Sequence, residues 1–354
     1  MLKKISIITF CFLLASAVAY PQARRYAVVE FSVNFIRENP AYEAELGDQA
    51  LMGTVVEVTG EHSYWRSIIT PEPYKGWVNE MGLVEMPENK ITSYIAAPKY
   101  ICTAEYSHVY SKPDLGSERL SDLVMGDILR IRYAKKTVSS ARVVRKRKFN
   151  GQGLFYGVLL PSGRAGFVPA DDLEEFRGWA ERKIKDCSFR TIYLTARLFL
   201  GVPYMWGGTS IKCADCSGFV RSVWFMNGLL LPRNASQQAR TGDAIDFHPD
   251  YSVSEKSPAF RKEMLKRISY LEPGDLLFFG KKGTLDTKEK VTHVAIYLGN
   301  GKYIHSSEVV RISSLIPGDK DFSRVFIKAR RVLNQEDKGK GIVSILKSPV
   351  YFKQ

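Results

Sequence analysis

Residues 213–220 read CADCSGFV and place two cysteines three positions apart, with an apolar run after the second. From Cys216 onward the apolar residues recur with helical spacing, which predicts a helix over CSGFVRSVWFMNG. The face that this helix turns to the core carries Phe219, Val220, Val223 and Trp224. The stretch therefore indicates a thiol at the first position of a buried helix.

Asp215 stands directly before this helix, in the cap position, where a carboxylate accepts hydrogen bonds from the first backbone N–H groups. The unpaired N–H groups and the dipole at this end favour an anion, so we expect the thiol of Cys216 to ionise readily. A thiolate is the nucleophilic form of cysteine. Gly218 has no side chain and lets another backbone segment approach the helix.

Other interpretations of the two cysteines stay open on the pattern alone. Cys216 is also compatible with a small buried hydrophobic residue. Cys213 and Cys216 form a CxxC pair, which occurs in redox centres and in half of many zinc sites. A thioredoxin-like centre needs a surrounding βαβ pattern that the sequence lacks, and a zinc site has only His293 and His305 to complete it. We therefore predict no metal site and no cofactor.

A cysteine nucleophile needs a base within hydrogen-bonding reach and a group that orients the base. The chain has five histidines, namely His62, His108, His248, His293 and His305. The first two lie in strand-rich regions and the third lies in a polar insertion. The last two flank a predicted hairpin, THVAIYLGNGKYIHSS (292–307), and are the candidates for the base and its partner. Each is also compatible with an ordinary core histidine.

The turn of this hairpin determines whether the two imidazoles meet. A two-residue turn at 300–301 would pair Ile296 with His305 and put the imidazoles on opposite faces of the sheet. A three-residue loop over 299–301, with a bulge, would pair Ala295 with His305, and the imidazoles would then be diagonal neighbours on one face. A catalytic role for both histidines requires the three-residue loop.

The first nineteen residues have the pattern of a secretory leader, with lysines near the start, an apolar core over 5–14 and small residues at 17–19. This core is too short to cross a bilayer, so we expect a signal peptide over 1–19 that is cleaved after Ala19. The protein is then exported, to the periplasm or to the cell surface and medium. No later run approaches the roughly 18 apolar residues of a membrane helix, so we expect no integral membrane segment in the mature chain.

The composition limits the partners of an exported chain. It has 51 basic and 37 acidic residues and a net charge of +14, a field that favours anionic surroundings. Outside the cytoplasm these are the cell wall and its acidic peptides, and we expect no nucleic acid partner. The few cysteines are too sparse for disulfides to be the main support of the fold.

Strand-like stretches rich in β-branched and aromatic residues run from 26 to about 175 and are broken by Gly, Pro and Asn. They form two similar halves, each with a Gly before an apolar strand and a closing strand of the form Gly-aromatic-Val. We therefore predict one small barrel over 26–92 and a second over 98–176. A basic insertion in the second barrel, 135–148, is expected to be a mobile, solvated hairpin.

From about residue 180 the pattern changes to helices followed by strands, which predicts an α+β domain over 180–335 and a C-terminal extension over 336–354. The first helix of this domain has Ser188 available as its cap and Gly201 as its stop. A long polar insertion near 243–270 is either a lid over the site or an addition to the surface.

Four ordered motifs, VPYMWGGTSIKCADCSGFV, LPRNASQQA, LEPGDLLFF and THVAIYLGNGKYIHSS, resemble the signature of the NlpC-like cysteine peptidases. The two upstream barrels resemble bacterial SH3-like domains. This combination is similar to the subgroup that cleaves γ-D-glutamyl-L-diamino acid bonds in cell-wall peptides, also called dipeptidyl-peptidase VI. The resemblance implies a papain-like α+β fold after two all-β SH3-like barrels.

Carried over by position, the resemblance implies that Cys216 is the nucleophile, His293 the base and His305 the orienting residue. Tyr204 matches a tyrosine that helps to hold the tetrahedral oxyanion, together with the backbone N–H of Cys216. No cofactor or metal is implied. The implied substrate is a peptidoglycan-derived peptide, and the wall surface is a further candidate partner.

The resemblance also implies residues that bind the substrate. Asp215 and Ser217 match the residues that line the floor of the cleft. Glu45 and Tyr74 are the nearest matches to a carboxylate and a tyrosine that the first barrel offers to the free amine of an N-terminal L-alanine. Asn234 stands where relatives often carry an Asp in contact with that amine, so one charge of the amine site is absent. This departure concerns recognition of the N-terminus and not the chemistry.

Two alternatives to a short-peptide peptidase remain at this point. The same catalyst fits intact, crosslinked wall as its substrate. The second alternative is a catalytically inert module that binds the cell wall. The presence of Cys216, His293 and His305 argues against it. A lipid-directed thiol acyltransferase of related fold is disfavoured because no hydrophobic anchor follows the domain.

Overall fold

The computed structural model describes residues 24–132, 154–283 and 287–353, together with the backbone of Arg147–Lys148. The predicted signal peptide, 1–19, and most of the predicted basic hairpin, 135–148, lie outside the described residues. Within the described part, no helix is both long enough and apolar enough to cross a membrane. The described residues form two all-β sheets followed by an α+β domain.

The first sheet contains seven antiparallel strands, which are β1 (Arg25–Val29), β2 (Val33–Arg37), β3 (Leu46–Leu51), β4 (Val55–His62), β5 (Trp65–Ile69), β6 (Lys75–Asn79) and β7 (Leu83–Met86). Their spatial order is β3-β2-β6-β5-β4-β1-β7. Alternate strand residues, including Ile36, Val56 and Val78, point into a shared apolar core. A helix, α1 (Glu88–Ala96), leads to the second sheet.

The second sheet is built from β8 (Lys99–Cys102), β9 (Tyr106–Tyr110), β10 (Arg119–Val124), β11 (Ile128–Ile131), β12 (Arg147–Lys148), β13 (Leu154–Leu159), β14 (Ala165–Pro169) and β15 (Leu173–Glu175). The path runs β10-β9-β14-β13-β11-β8-β15, and β12 pairs with β13 beside it. Apart from β12, each strand has a counterpart at the same place in the first sheet. The two sheets thus share one topology, as the internal sequence similarity suggests. A helix, α2 (Phe176–Lys185), follows.

The α+β domain contains the helices α3 (Phe189–Leu198), α4 (Cys216–Phe225), α5 (Ala235–Gln238) and α6 (Phe260–Ile268). Its main strands are β19 (Asp243–Ala244), β20 (Leu276–Lys281), β21 (Lys290–Gly299), β22 (Lys302–Ser307), β23 (Val309–Ser314) and β24 (Lys328–Arg331). These form one sheet in the order β19-β24-β20-β21-β22-β23. Two short pairs stand apart, namely β16 (Thr209–Ser210) with β17 (Cys213–Ala214) and β18 (Leu229–Leu230) with β25 (Val343–Ser344).

Helix α4 packs on one face of this sheet, against apolar residues of β20, β21 and β22. All four residues predicted for its core face, Phe219, Val220, Val223 and Trp224, are fully buried. Helix α3 is capped by Ser188 and is followed by Gly201 with φ of +83°, so its predicted cap and stop are confirmed. The spacing of apolar residues and the cap residues thus sufficed to predict the first helices of this domain, α3 and α4.

The polar insertion near 243–270 packs on the opposite face of the sheet. Phe260 and Met264 of α6 are buried there against Phe279 and Tyr303. The insertion is anchored at its start, where β19 pairs with β24. This segment is therefore part of the packed domain and not a loop in solvent.

The segment predicted as a C-terminal extension also contributes to the core. Tyr351 and Phe352 are buried, and the ring of Phe352 stacks on Phe176 with centroids 4.7 Å apart. Residues 343–344 form β25, which pairs with β18 beside α4. The end of the described chain thus ties α2 to the domain that carries Cys216.

Candidate active site

Helix α4 begins at Cys216, as the sequence predicts, and Asp215 is its cap. The Oδ1 atom of Asp215 accepts a hydrogen bond from the backbone N–H of Gly218 at 2.8 Å. Gly218 lies so close to a neighbouring loop that a Cβ atom there would be 2.0 Å from the carbonyl oxygen of Gly208. The helix start is therefore fixed by its own cap and by a backbone contact that only glycine allows.

A buried arginine holds the cap residue in place. Arg233 is fully buried, and its Nη2 atom lies 2.5 Å from Oδ2 of Asp215. The same guanidinium donates to Oγ of Ser217 at 3.0 Å. The resemblance implies that Asp215 and Ser217 line the floor of the cleft. Both are bound by the guanidinium of Arg233, directly beside Cys216.

This arginine connects the helix to the first sheet. Its Nε atom donates to Oδ1 of Asp48, which is on β3, at 2.8 Å. Asp48 also pairs with Arg221 of α4 at 2.9 Å, and Arg221 pairs with Glu72 of the first sheet at 2.6 Å. All four charged groups of Asp48, Glu72, Arg221 and Arg233 are largely buried. This network of ion pairs could not be predicted from the sequence, because its members are far apart in the chain.

The hairpin that carries the two histidines has the predicted register but a different turn. Residues 300–301 form a two-residue turn with φ of +50° and +71°, and Gly299 pairs with Lys302. A bulge at Leu298 shifts the register by one residue, so that Ile296 pairs with Ile304. The predicted three-residue loop is therefore wrong. The bulge supplies the extra residue that the prediction had placed in the loop.

His293 and His305 consequently lie on one face and are in contact. The Nε2 atom of His293 is 2.8 Å from Nδ1 of His305, and the two rings are perpendicular. The Nε2 atom of His305 is 3.1 Å from Oγ of Ser313, on the neighbouring strand β23. If Nε2–H of His293 donates to His305, and Nε2–H of His305 donates to Ser313, then Nδ1 of His293 carries no proton and can accept one.

The thiol of Cys216 lies beside strand β21, at the residue that follows His293. The backbone N–H of Val294, the residue after His293, is a hydrogen-bond donor to this thiol. Helix α4 and β21 are also in extensive contact. The fold thus brings the helix start against the strand that carries His293, although the two are far apart in the sequence.

Burial controls the protonation of this site. It raises the pKa of the Cys216 thiol to about 11, with Asp215 acting in the same direction and the Val294 N–H and Arg233 opposing it. It lowers the pKa of His293 to about 2, with Arg324 acting in the same direction. The raised pKa is the opposite of the readily ionised thiol that the sequence predicts. The helix dipole is outweighed because the sulfur is almost fully removed from water.

The same causes keep the second imidazole neutral. Burial and then the charge of Arg324 lower the pKa of His305 to about 3. Burial thus favours the protonated thiol and the two neutral imidazoles.

Tyr204 is half-buried near the nucleophile. Burial and the nearby Cys216 and Asp215 raise the pKa of its hydroxyl to about 12, so the hydroxyl stays protonated and can donate. The backbone N–H of Tyr204 donates to the carbonyl oxygen of Glu308 at 2.7 Å, which fixes the loop against the end of β22. The position predicted for an oxyanion donor is thus close enough to interact electrostatically with the thiol.

Residues 201–331 match the model of the NlpC/P60 family. These residues form an NlpC/P60 domain. The match covers the start of α4, the histidine hairpin and the insertion, and the two N-terminal all-β sheets precede it.

Curated relatives extend the similarity to most of the chain. A γ-D-glutamyl-L-lysine dipeptidyl-peptidase of Bacillus cereus is 28% identical over 298 residues, which are 82% of this chain and 76% of the relative. A dipeptidyl-peptidase 6 of Lysinibacillus sphaericus is 26% identical over 283 residues, which are 79% of this chain and 86% of the relative. Both alignments therefore extend well beyond the NlpC/P60 domain.

A solved structure has the same overall fold. The crystal structure of an NlpC/P60 family protein from Bacillus cereus superposes with a TM-score of 0.62 at 21% identity, covering 87% of this chain and 99% of that chain. The predicted fold class, a papain-like α+β domain after two small SH3-like β domains, is confirmed.

The residues predicted for the amine site differ in exposure, and only Asn234 lies within the NlpC/P60 domain. Glu45 is exposed, whereas Tyr74 is half-buried with its hydroxyl against Gly47. Burial and the charge of Asp48 raise the pKa of Tyr74, and Glu45 acts in the same direction. Asn234 is exposed at the start of α5, where its backbone N–H donates to Gln237 at 3.0 Å. Tyr74 thus belongs to the surroundings of the Asp48 network.

Cys213 is a half-buried neighbour of the site. Its sulfur lies 3.5 Å from Nε2 of Gln49 on the first sheet and 3.7 Å from Sδ of Met205. Cys213 and Cys216 are both free thiols. Burial raises the pKa of Cys213 as well, so its environment gives it no special reactivity.

Proposed function

We propose that this chain is a cysteine endopeptidase that hydrolyses the γ-D-glutamyl-L-diamino acid bond of cell-wall peptides. The observations that support the proposal are a thiol at the start of α4 that accepts from the backbone N–H of Val294 on β21, and a hydrogen-bonded pair of imidazoles, His293 and His305, on β21 and β22. The printed names of the curated relatives supply the substrate class. Thiol, base and orienting group are the parts that acyl transfer by cysteine needs.

In the first half of the reaction, the thiol of Cys216 attacks the γ-carbonyl carbon of D-glutamate. Nδ1 of His293 takes the thiol proton as the S–C bond forms, and His305 stabilises the resulting imidazolium by accepting from its Nε2–H. The hydroxyl of Tyr204 and the backbone N–H of Cys216 donate to the oxyanion. Each preorganised donor of this kind is typically worth about 100- to 1000-fold in rate.

In the second half, the C–N bond breaks and His293 returns its proton to the departing amine of the diamino acid. The thioester on Cys216 is then hydrolysed by a water molecule whose proton goes to the same imidazole. The acyl product is released as a free carboxylate and the thiol is regenerated. The cycle is balanced without an external oxidant, reductant or metal.

We further propose that the substrates are short peptides with a free N-terminal L-alanine. The first sheet abuts the site, since Asp48 reaches Arg233 and Gly207 is in contact with Leu46. In this proposal, Glu45 and Tyr74 line the end of the groove that receives the N-terminus. Asn234 supplies no charge there, so the ammonium group is recognised mainly by the first sheet.

Export of the chain and contact with the cell wall are part of the same proposal. The leader pattern and the net charge of +14 support them. A positive surface attracts peptides that carry free carboxylates and raises their local concentration. Periplasm and outer surface both fit these features, and cell fractionation distinguishes them.

The experiment is product analysis by mass spectrometry after incubation with the tripeptide L-Ala-γ-D-Glu-L-Lys. The wild type is expected to release L-Ala-D-Glu and the diamino acid, and Cys216→Ala is expected to release neither. Cys213→Ala is the matched control and should retain activity. Native activity in Cys216→Ala would refute the mechanism, and an inactive wild type would favour the inert binding module.

The N-acetylated tripeptide separates the two substrate classes. A short-peptide enzyme with a closed groove is expected to lose activity on it, because the ammonium group is removed and bulk is added at the closed end. Equal rates on the free and acetylated peptides would favour intact wall as the substrate.

A further inference from the structure

A large cavity opens on the sheet face that carries the histidine pair. It has a volume of about 680 Å³, which is within the usual range for ligand sites. One side is formed by the insertion, including Tyr251 and Phe260, and the other by the sheet, including Phe279 and Thr292. Thr292 immediately precedes His293, and the rings of Phe279 and His293 have centroids 5.6 Å apart. The cavity therefore reaches the residues that adjoin His293, the proposed base.

Arg324 lines this cavity close to the base. Its guanidinium lies over the ring of Phe279, 5.8 Å from the centroid, and its charge acts on both His293 and His305. Among the described residues no carboxylate lies within ion-pair distance of Arg324, whereas Arg267 in the same lining is paired with Glu263 at 2.8 Å. A half-buried guanidinium without an acidic partner is suited to bind an anion from solution.

The chemistry of the proposed reaction determines which part of the substrate enters this cavity. His293 must protonate the departing amine, so the diamino acid leaves on the side of the imidazole. The acyl half lies on the other side, toward Tyr204 and the first sheet. The α-carboxyl group of the diamino acid is attached to the carbon that bears this amine, and it is therefore the substrate anion nearest to Arg324.

We propose that Arg324 binds the free α-carboxylate of the departing diamino acid in this cavity, and that the enzyme prefers peptides that end at that residue. This inference rests on the proposed function and specifies its substrate. In longer stem peptides the same carboxyl group is part of a peptide bond and carries no charge. The insertion that borders the cavity thus selects for chain length on the leaving-group side.

The test compares L-Ala-γ-D-Glu-L-Lys with the same tripeptide amidated at its C-terminus, which differs only in that carboxylate. We expect wild-type kcat/KM to be about 10- to 100-fold higher for the free acid, mainly through KM. In Arg324→Gln the two substrates should agree within about threefold, and Arg324→Lys should keep part of the preference.

Arg311→Gln is the matched control. Arg311 also acts electrostatically on His305, but it is paired with Glu308 and lies outside the cavity lining. This variant removes the same charge and should keep the wild-type ratio of acid to amide. The activity of Arg324→Gln on the amide also verifies that the variant is folded.

The outcomes separate the inference from the proposed function. A wild type that cleaves both peptides equally would overturn the carboxylate site and leave the peptidase intact. A loss in Arg324→Gln that is equal for acid and amide would also overturn it, because Arg324 would then act only through the imidazoles. A wild type that cleaves neither peptide would remove both proposals together.

Discussion

At the scale of single residues, the site contains a row of hydrogen-bonded side chains on three neighbouring strands. His293 Nε2 is bound to His305, and His305 is bound in turn to Ser313. These contacts fix the orientation of both imidazole rings. The sequence predicts roles for Cys216, His293 and His305, whereas it does not point to Ser313, because a serine in a strand is common.

Replacing His305 by alanine is expected to lower kcat by about 100- to 1000-fold. The variant leaves Nε2–H of His293 without an acceptor in a buried site, so the ring loses its orientation and the imidazolium loses its stabilisation. His305→Asn retains an acceptor oxygen and should recover part of the loss. Steady-state kinetics on the tripeptide measure both variants.

Ser313→Ala serves as the control for the histidine chain. It removes only the distal acceptor, so its kcat should fall by less than that of His305→Ala. If His305→Ala kept the wild-type kcat, the orienting role would be wrong.

The protonation state of the thiol gives a second prediction at this scale. With the pKa of Cys216 raised to about 11, the thiolate fraction changes about tenfold per pH unit below that value. The rate of Cys216 alkylation by iodoacetamide should therefore rise about tenfold per pH unit from pH 6 to pH 8. Peptide mass spectrometry assigns the label, and Cys216→Ala gives the background. A rate that is flat across this range would indicate a preformed thiolate.

At the scale of elements, the hairpin illustrates what a sequence can predict. The alternation of apolar residues and the requirement for a shared face led to the correct pairing of β21 with β22. The predicted length of the loop was wrong. A bulge at Leu298 with a two-residue turn gives the same pairing of Ile296 with Ile304 as a three-residue loop does. Gly299 and Gly301 have φ of +94° and +71°, on either side of Asn300. Because either glycine can adopt such an angle, the sequence does not determine where the extra residue lies.

The contact between α4 and the preceding loop can be tested with Gly218→Ala. The added Cβ would lie 2.0 Å from the carbonyl oxygen of Gly208, which belongs to backbone and cannot rotate away. We expect a loss of about 1–3 kcal/mol in the free energy of unfolding and a lower kcat, because the helix start must shift. Urea unfolding and tripeptide kinetics measure the two effects.

Gly60→Ala is the matched control for this substitution. The nearest atom to its added Cβ would be 3.6 Å away, an ordinary contact, on the outer part of the first sheet. It should leave kcat unchanged. Equal effects of the two substitutions on kcat would show that the close approach at Gly218 is not what positions Cys216.

At the scale of the whole molecule, buried charges join the first sheet to the catalytic helix. Asp48 accepts from both Arg221 and Arg233, and Arg233 holds the cap residue next to the nucleophile. The sequence predicted the domains and their classes separately. It gave no indication of this interface, because charged residues on separate domains carry no periodic pattern and are most often solvated.

Asp48→Ala is expected to lower the free energy of unfolding by about 3–5 kcal/mol, since it leaves two buried guanidinium groups without a shared partner. It should also lower kcat. Arg233 loses its contact with the first sheet in this variant and therefore holds Asp215, the cap residue next to Cys216, less firmly. Urea unfolding and tripeptide kinetics test the two parts separately.

Glu61→Gln provides the comparison, as Glu61 forms an exposed pair with Arg25 in the same sheet. Exposed pairs contribute at most about 1 kcal/mol, so this variant should be nearly neutral in both measurements. An Asp48→Ala variant as stable and active as Glu61→Gln would mean that the buried network does not couple the sheet to the site.

The central claim is that Cys216 carries the acyl group during turnover, and trapping that intermediate tests it most directly. The wild type, incubated with excess tripeptide and quenched in acid, is digested and analysed by peptide mass spectrometry. We predict an L-Ala-D-Glu acyl adduct on the peptide at Cys216, absent from Cys216→Ala and retained in Cys213→Ala. Turnover with no adduct at any cysteine, or with the adduct at Cys213, would contradict the account.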